Sequence, residues 1–289
     1  MSVHIVHADA IELGAHVEAG AARLVYMDPP FAVGTSFRAR GADGTRRRGP
    51  VAYTDSWPSL DAYLDWLEPR LGAAWDALAP DGSLWLHLDH RAVHDAKVRA
   101  AQRFGEDKFR AEIIWVPGNG SKSRNGPGVT HQTLLIFSHQ SRFVWNVREP
   151  VLREPYAETS LQMHFTQHDA DGRRYRERVI EGKHYRYYAD EGRALGSVWT
   201  DCPAMHSNTP LRRETTGYPT QKPEKLLDRI VRAATLPGDL VVDPFMGSGT
   251  TLVAAAKAGR RALGCDIGAL SQDTVRARLM RENIEFSTN

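Results

Sequence analysis

Two short stretches of this 289-residue chain hold side chains that could do chemistry together, although 215 positions separate them. The first is "MDPPF" (27–31). Leu24-Val25-Tyr26-Met27 reads as a short buried strand, and Pro29 ends it by removing a ladder donor. Asp28 would then stand at the carboxyl end of a strand, where open α/β sheets place their ligands. Taken alone, such a sequence is equally a strand end with a solvated acid and a stiff turn.

The second stretch, "VVDPFMGSGTT" (241–251), reads as a strand ending at Asp243, a turn built on Gly247 and Gly249, and the start of a helix. Glycine lets a backbone turn tightly and approach a ligand where a Cβ would intrude. Asp266 closes the next predicted strand, where an acid can accept hydrogen bonds from ribose hydroxyls. The third glycine of a dinucleotide fingerprint is replaced by Leu252, and "GNGSKS" (118–123) has the wrong spacing for a phosphate-cradling loop. A carboxylate at the turn repels phosphate but suits an ammonium. S-adenosylmethionine combines an ammonium, a ribose diol and no phosphate. A dinucleotide or a purely structural turn are the alternatives.

The elements that must position these residues follow an α/β pattern. Apolar runs at His4–His7, Leu24–Met27, Ser83–Leu88, Glu112–Val116, Thr133–Phe137, Leu240–Val242 and Arg261–Cys265 are strand candidates. Helical periodicity covers Leu60–Leu78, Arg91–Phe104, Pro223–Thr235, Thr250–Ala258 and Ser271–Glu282. Strands alternating with helices predict a doubly wound sheet. The pattern lapses from 141 to 216, a stretch rich in Arg, Tyr, His and Glu that reads as an insertion. The expected organisation is a core formed by 1–140 and 217–289, interrupted by that insertion.

Composition narrows the function classes. A 42% hydrophobic and 25% charged chain is an ordinary globular protein. Its apolar runs fall short of a membrane span, and the N-terminus lacks the pattern of a signal peptide. Two cysteines, Cys202 and Cys265, make neither a disulfide framework nor a metal cluster, so a cytoplasmic, reducing location and no bound metal are expected. The net charge of +2 says little, but its distribution says more. Five arginines (Arg38, Arg40, Arg46, Arg47, Arg48) face one acid between Gly34 and Thr54. Seven basic residues, Arg173 and Arg174 among them, are interleaved with tyrosines between Arg173 and Arg193. Lys122 and Arg124 lie in the Gly-rich "PGNGSKSRNGPG" (117–128). Basic charge mixed with aromatics suits phosphate contact and base stacking. A solvated basic face is the plain alternative.

"MDPPF" (27–31), "HQTLLIFS" (131–138), "YPTQKPEKLLDRI" (218–230) and "DPFMGSGTT" (243–251) occur in the order found in β-class DNA amino-methyltransferases, and the chain resembles that family along nearly its whole length. The resemblance implies a Rossmann-like methyltransferase fold, a doubly wound mixed sheet with permuted motif order, whose insertion at 141–216 recognises the target. It implies S-adenosylmethionine as cofactor and double-stranded DNA as substrate. The family also suggests a homodimer, and a cognate restriction endonuclease as partner. Carried onto this sequence, Asp28, Pro29, Pro30 and Phe31 form the catalytic motif. Asp28, Asp243, Pro244, Phe245, Gly247, Ser248, Gly249 and Thr250 surround the cofactor, and Asp266 and Ile267 lie at its ribose. Asp9 and Ala10, in "HADA" (7–10), meet its adenine. Thr220 and Lys222 approach its methionine part. A flipped base would stack on Phe31 and give its exocyclic N–H groups to Asp28 and the Pro29 carbonyl. An aspartate in this motif tilts the target towards N6 of adenine, with N4 of cytosine as the alternative. An idle DNA- or nucleotide-binding module is a more remote one. Neither cysteine resembles the nucleophile that methylation of a ring carbon needs.

Overall fold

The computed structural model describes residues 2–40, 49–118, 120, 123–205 and 214–288. Contacts divide the chain into two compact units, one formed by 1–145 with 197–289, the other by 146–196.

The larger unit is built on a nine-stranded sheet. Its strands run in the order Val198–Trp199, Phe109–Trp115, Gln132–Phe137, Leu78–Leu88, Ala22–Met27, Leu240–Asp243, Arg261–Cys265, Val3–Val6 and Phe286–Thr288. Gln132–Phe137 is antiparallel to both neighbours and every other pairing is parallel, so the sheet is mixed. The central strands read as continuous apolar runs because helices cover them. Leu24, Val25 and Met27 are fully buried, as are Val241 and Val242 opposite. Leu60–Ala77 packs on this sheet from an N-terminus capped by Ser59, whose hydroxyl accepts from the Ala62 amide at 3.1 Å. Val93–Phe104, Glu224–Ala234, Thr250–Lys257 and Ala269–Arg281 are the other helices of this unit. None among the described residues is long and apolar enough to cross a membrane.

The topology decides where the acids go. Ala22–Met27 and Leu240–Asp243 are parallel neighbours, with Val25 beside Val242. Arg261–Cys265 lies on the far side of Leu240–Asp243, with Gly264 beside Asp243, and Val3–Val6 lies beyond it. Four adjacent parallel strands therefore end together. Their carboxyl ends carry Asp28, Asp243, Asp266 and Asp9.

Three features were absent from the sequence reading. Leu78–Leu88 begins five residues before the predicted Ser83, through a Pro-Asp-Gly segment that resembles a turn. Phe286–Thr288 adds a polar edge strand. Thr35–Arg38 and Val51–Asp55 pair as a hairpin after the catalytic motif, with Phe37 and Tyr53 stacked at 5.0 Å.

In the smaller unit, Arg174–Ile180 and Lys183–Tyr188 form an antiparallel hairpin with Gln167–His168 on one edge. Its turn is Glu181-Gly182, both at positive φ, as a two-residue hairpin turn requires. Arg153–Glu154 pairs with Arg193–Ala194 to close the unit, and Phe165 and Leu152 supply its buried apolar side chains.

Candidate active site

The strand ends open into a cleft of about 480 Å³ in the larger unit. Its floor is Asp28, Asp243 and Asp266, and Phe37 and Tyr53 of the hairpin form one wall. Trp66 and Arg70 of the helix Leu60–Ala77 and the segment from Tyr218 to Lys222 complete it.

Asp28 is held at one side. Both of its carboxylate oxygens lie 2.6 Å from Lys222 Nζ, and that ammonium stands 4.9 Å from the centre of the Phe31 ring. Burial raises the Asp28 carboxyl above its ordinary range, and the Lys222 charge draws it back. The Pro-Pro-Phe-Ala turn beyond it is strained, with Ala32 at φ 58°. Asp55 stabilises that turn. One of its oxygens accepts from the Phe31 amide at 2.9 Å and the other from the Trp57 indole at 3.3 Å. Its carbonyl takes the Gly34 amide at 2.7 Å. Behind the motif, buried Tyr26 and His87 share a hydrogen bond of 2.7 Å, and burial lowers the His87 pKa well below its ordinary value. A neutral histidine therefore backs the site.

Asp243 sits in the adjoining part of the cleft. Burial pushes its carboxyl up to about 7, although the Thr251 hydroxyl and the Phe245 amide both donate to it. An acid this costly to ionise is one that a cation would stabilise. Asp266 binds the glycine turn itself, accepting from the Gly247 amide at 3.0 Å and the Gly268 amide at 2.8 Å. Burial raises its pKa, and those two amides oppose the rise. The Ser271 hydroxyl also bonds to this carboxylate, which still has acceptor capacity to spare.

The two glycines of the turn do different things. Gly247 lines the cleft at φ 45°, and a Cβ there would stand 3.2 Å from the Tyr218 ring. Gly249 packs against the helix Ala269–Arg281. It starts the helix Thr250–Lys257 at φ 73°, and a Cβ would meet Val275 at 2.9 Å. Its small size serves helix packing against Val275. Arg278, fully buried, braces the turn from behind by donating to the Ser248 carbonyl and the Thr250 hydroxyl.

Most of the remaining predicted positions line this cleft: Asp9, Ala10, Pro29, Pro30, Thr220, Pro244, Phe245, Ser248, Thr250 and Ile267. Asp9 is also a helix cap, in a capping box with Glu12, and pairs with Arg70. Thr220, at φ 56°, accepts from Tyr53 and ties the hairpin to the Tyr218–Lys222 segment. Lys222, expected at the cofactor's methionine end, also lines the cleft and is paired with Asp28.

The basic positions fare unevenly. Arg46, Arg47, Arg48 and Lys122 lie outside the described residues. Arg38 donates to the Gly49 carbonyl at 3.3 Å, and the Arg40 amide donates to the Gly217 carbonyl at 3.1 Å. Arg124 is exposed. Arg173 lies 4.0 Å over the Tyr188 ring and pairs with Asp190 and Glu191. The Arg174 guanidinium donates to the Leu161 and Phe165 carbonyls within its own unit.

Sequence reasoning missed Asp55, Arg278 and Arg70. "TDSW" (54–57) offered a signal for Asp55, since an acid at a strand end can accept from a neighbouring turn. One of three arginines in a helical pattern, Arg278 gave none.

Both cysteines are buried. Burial pushes Cys202 up to about 11 and Cys265 higher still, so both remain protonated thiols.

A family model for DNA methylases matches residues 22–274. The chain belongs to the DNA methylase family. It is 27% identical to the Type II methyltransferase M.EcaI of Enterobacter cloacae, over 91% of this chain and 65% of that relative. It therefore spans slightly under two thirds of that protein. With the DNA adenine methyltransferase YhdJ of Escherichia coli K12 the identity is 26%, over 91% and 78%. Among solved structures, the cytosine-N4-specific PvuII DNA methyltransferase superposes with a TM-score of 0.63 at 18% identity, covering 99% of this chain and 89% of that one. TTHA0409 of Thermus thermophilus, solved with S-adenosyl-L-methionine, gives 0.56 at 21%, covering 99% of both. The fold is thus that of the S-adenosylmethionine-dependent DNA methyltransferases. As a DNA methylase the chain is an S-adenosylmethionine-dependent enzyme of the class that modifies N6 of adenine or N4 of cytosine. The residues present fit that cofactor: among the described residues no cationic side chain pairs with buried Asp243, and Gly247 leaves the space a Cβ would fill.

Proposed function

We propose that this protein methylates N6 of adenine in double-stranded DNA, at a base turned out of the duplex into the Asp28 cleft. The observation that carries the reading is the placement of Asp28 and Asp243 on adjacent strand ends of one cleft, the first paired with a lysine that stands over the Phe31 ring.

Bound S-adenosylmethionine supplies an electrophilic methyl group. Asp243 would hold its ammonium, Asp266 and Ile267 its ribose, and Asp9 and Ala10 its adenine. Pro244, Phe245, Gly247, Ser248, Thr250 and Thr220 would wall it. Gly249 supports this arrangement through the helix it starts.

The chemical problem is the target nitrogen, whose lone pair is delocalised into the ring. Asp28 and the Pro29 carbonyl accept its two N–H groups, which favours a pyramidal nitrogen and frees that lone pair. Pro30 fixes the direction of the carbonyl. Phe31 stacks on the base, with Asp55 fixing its backbone. After transfer the nitrogen must lose one proton, and the Asp28 carboxylate is the acceptor already in contact with it. Positioning and electrostatics carry the rate.

Arg38, Arg40 and Arg124 are the proposed phosphate contacts of the larger unit. The segment 141–216, and within it the exposed hairpin of the smaller unit with Arg173, is the proposed site of sequence reading. A homodimer and a cognate restriction endonuclease are the proposed partners; the Type II names of several relatives support the second.

The test is transfer of labelled methyl from S-adenosylmethionine to duplex DNA, followed by digestion to nucleosides. N6-methyladenine is expected. N4-methylcytosine would replace the base assignment, a reading favoured by the resemblance to the PvuII enzyme. Absence of label in DNA would overturn the function.

A further inference from the structure

We propose that Lys222 donates a hydrogen bond to the ring nitrogen beside the target amine, so that Asp28 and Lys222 together recognise the amino–imino edge shared by adenine and cytosine. The proposal rests on the reading of Asp28 and Phe31 as the grip on the flipped base.

The geometry carries it. Lys222 Nζ lies 2.6 Å from both oxygens of Asp28 and 4.9 Å from the centre of the Phe31 ring, and all three residues line one cleft. The lysine is fixed there: its side chain is 9% exposed and its carbonyl accepts from the Thr250 hydroxyl at 3.2 Å. An ammonium has three donors and no acceptor. Among the described residues its hydrogen-bond partners are the two oxygens of Asp28, which leaves one proton for the cleft. Each oxygen of Asp28 retains a lone-pair direction for a second donor.

A base stacked on Phe31 with its amine on Asp28 brings its ring nitrogen, two bonds from the amine nitrogen, to the side of the ammonium. Amine, carboxylate, ammonium and ring nitrogen then close a circuit in which every link can have an ordinary length of about 2.9 Å. Adenine (N6 and N1) and cytosine (N4 and N3) present a donor beside an acceptor. Guanine (O6 and N1–H) and thymine (O4 and N3–H) present the reverse. They would set a carbonyl against Asp28 and an N–H against the ammonium, so the pair rejects them twice. The same edge cannot by itself separate adenine from cytosine, which accords with one family holding enzymes for both.

The test is a four-way comparison of single-turnover methyl transfer. Wild type and Lys222→Met are each given a duplex with adenine, then with 1-deazaadenine, at the methylated position. For a cytosine product, 3-deazacytosine takes its place. The altered base changes its own nucleophilicity equally for both enzymes, so only the difference between them counts. Loss of the ring nitrogen is expected to slow wild type about 10- to 100-fold more than Lys222→Met. Cofactor affinity, measured by calorimetry, is expected to stay within about threefold in the variant, which separates base recognition from a fault in folding or cofactor binding. Equal losses in both enzymes would overturn the proposal while leaving the methyltransferase reading intact. So would a large drop in cofactor affinity with equal losses, which would return Lys222 to the methionine end. No transfer by wild type to any duplex would overturn both.

Discussion

The cleft of the larger unit and the hairpin of the smaller one both mix charge with aromatic rings, and they do so in opposite ways. In the cleft the charges are few and buried, and neighbouring strand ends fix them. Burial moves their proton affinities, as with Asp243 at about 7 and Asp28 above its ordinary range. In the hairpin the charges are many, half-buried or exposed, and arranged in cross-strand pairs. Tyr175 faces Tyr188 and Arg176 faces Tyr187, with the Arg186 guanidinium over the Tyr175 ring at 4.8 Å. Water screens such groups, so their worth lies in shape and stacking more than in charge. Chemistry needs the first arrangement and adaptable contact the second.

The largest effect that could break this contrast is at Asp28. Asp28→Asn should lower single-turnover methyl transfer on the order of 10³-fold, with cofactor affinity nearly unchanged, because it removes the charged acceptor of the target amine. A comparable loss of affinity in calorimetry would mean that the two acids do not divide the work.

Asp243→Asn should do the reverse, weakening cofactor binding about 10- to 100-fold. Its pH signature sharpens the point. The Asp243 carboxyl is raised from 3.8 to about 7 in the fold, so the native state holds its proton more tightly than the unfolded chain. Stability is therefore lost as pH rises between those values. Asp243→Asn should match wild type below about pH 4 and exceed it by on the order of a few kcal/mol at pH 8. Thermal melts at the two pH values check this. In wild type, the cofactor-induced rise in melting temperature should grow through the same window, as the acid ionises to meet an ammonium.

Asp55→Ala should cost less, on the order of tenfold in kcat, since it loosens the backbone of Phe31 without touching the reacting atoms. The Asp55→Asn variant should recover part of that loss by keeping an acceptor for the amide.

The smallest effect belongs to the hairpin. Arg176 lies 5.1 Å from the Phe165 ring and 5.4 Å from both Tyr156 and Tyr187. Arg176→Ala should destabilise the smaller unit by about 1 kcal/mol, visible as faster local proteolysis, and leave cofactor affinity unchanged.

The two regions also differ in how far they could be read from the sequence. Asp28, Asp243 and Asp266 were legible because each follows an apolar run, and parallel strands must end at a common edge. What could not be read was pairing at a distance. Nothing local to Lys222 points to Asp28, because their contact depends on how the segment before Glu224 crosses the sheet edge. The hairpin at Thr35–Arg38 and Val51–Asp55 was hidden by the basic residues that join its strands, since such composition reads as a loop. The packing of Gly249 against Val275 was not legible because a glycine at positive φ looks the same in sequence whether a ligand or a neighbouring helix fills the space of its Cβ. In the smaller unit the arginines could be counted but not sorted. Arg173 stacks outward on Tyr188 while Arg174 turns inward to carbonyls, and strand alternation alone does not say which face is covered.

The central claim, that Asp28 activates an exocyclic amine, is tested most directly by mass analysis of nucleosides from one DNA treated with wild type and with Asp28→Asn at saturating S-adenosylmethionine. N6-methyladenine should accumulate with wild type and be absent with the variant over the same time. Equal amounts of methylated nucleoside from both enzymes would contradict the account.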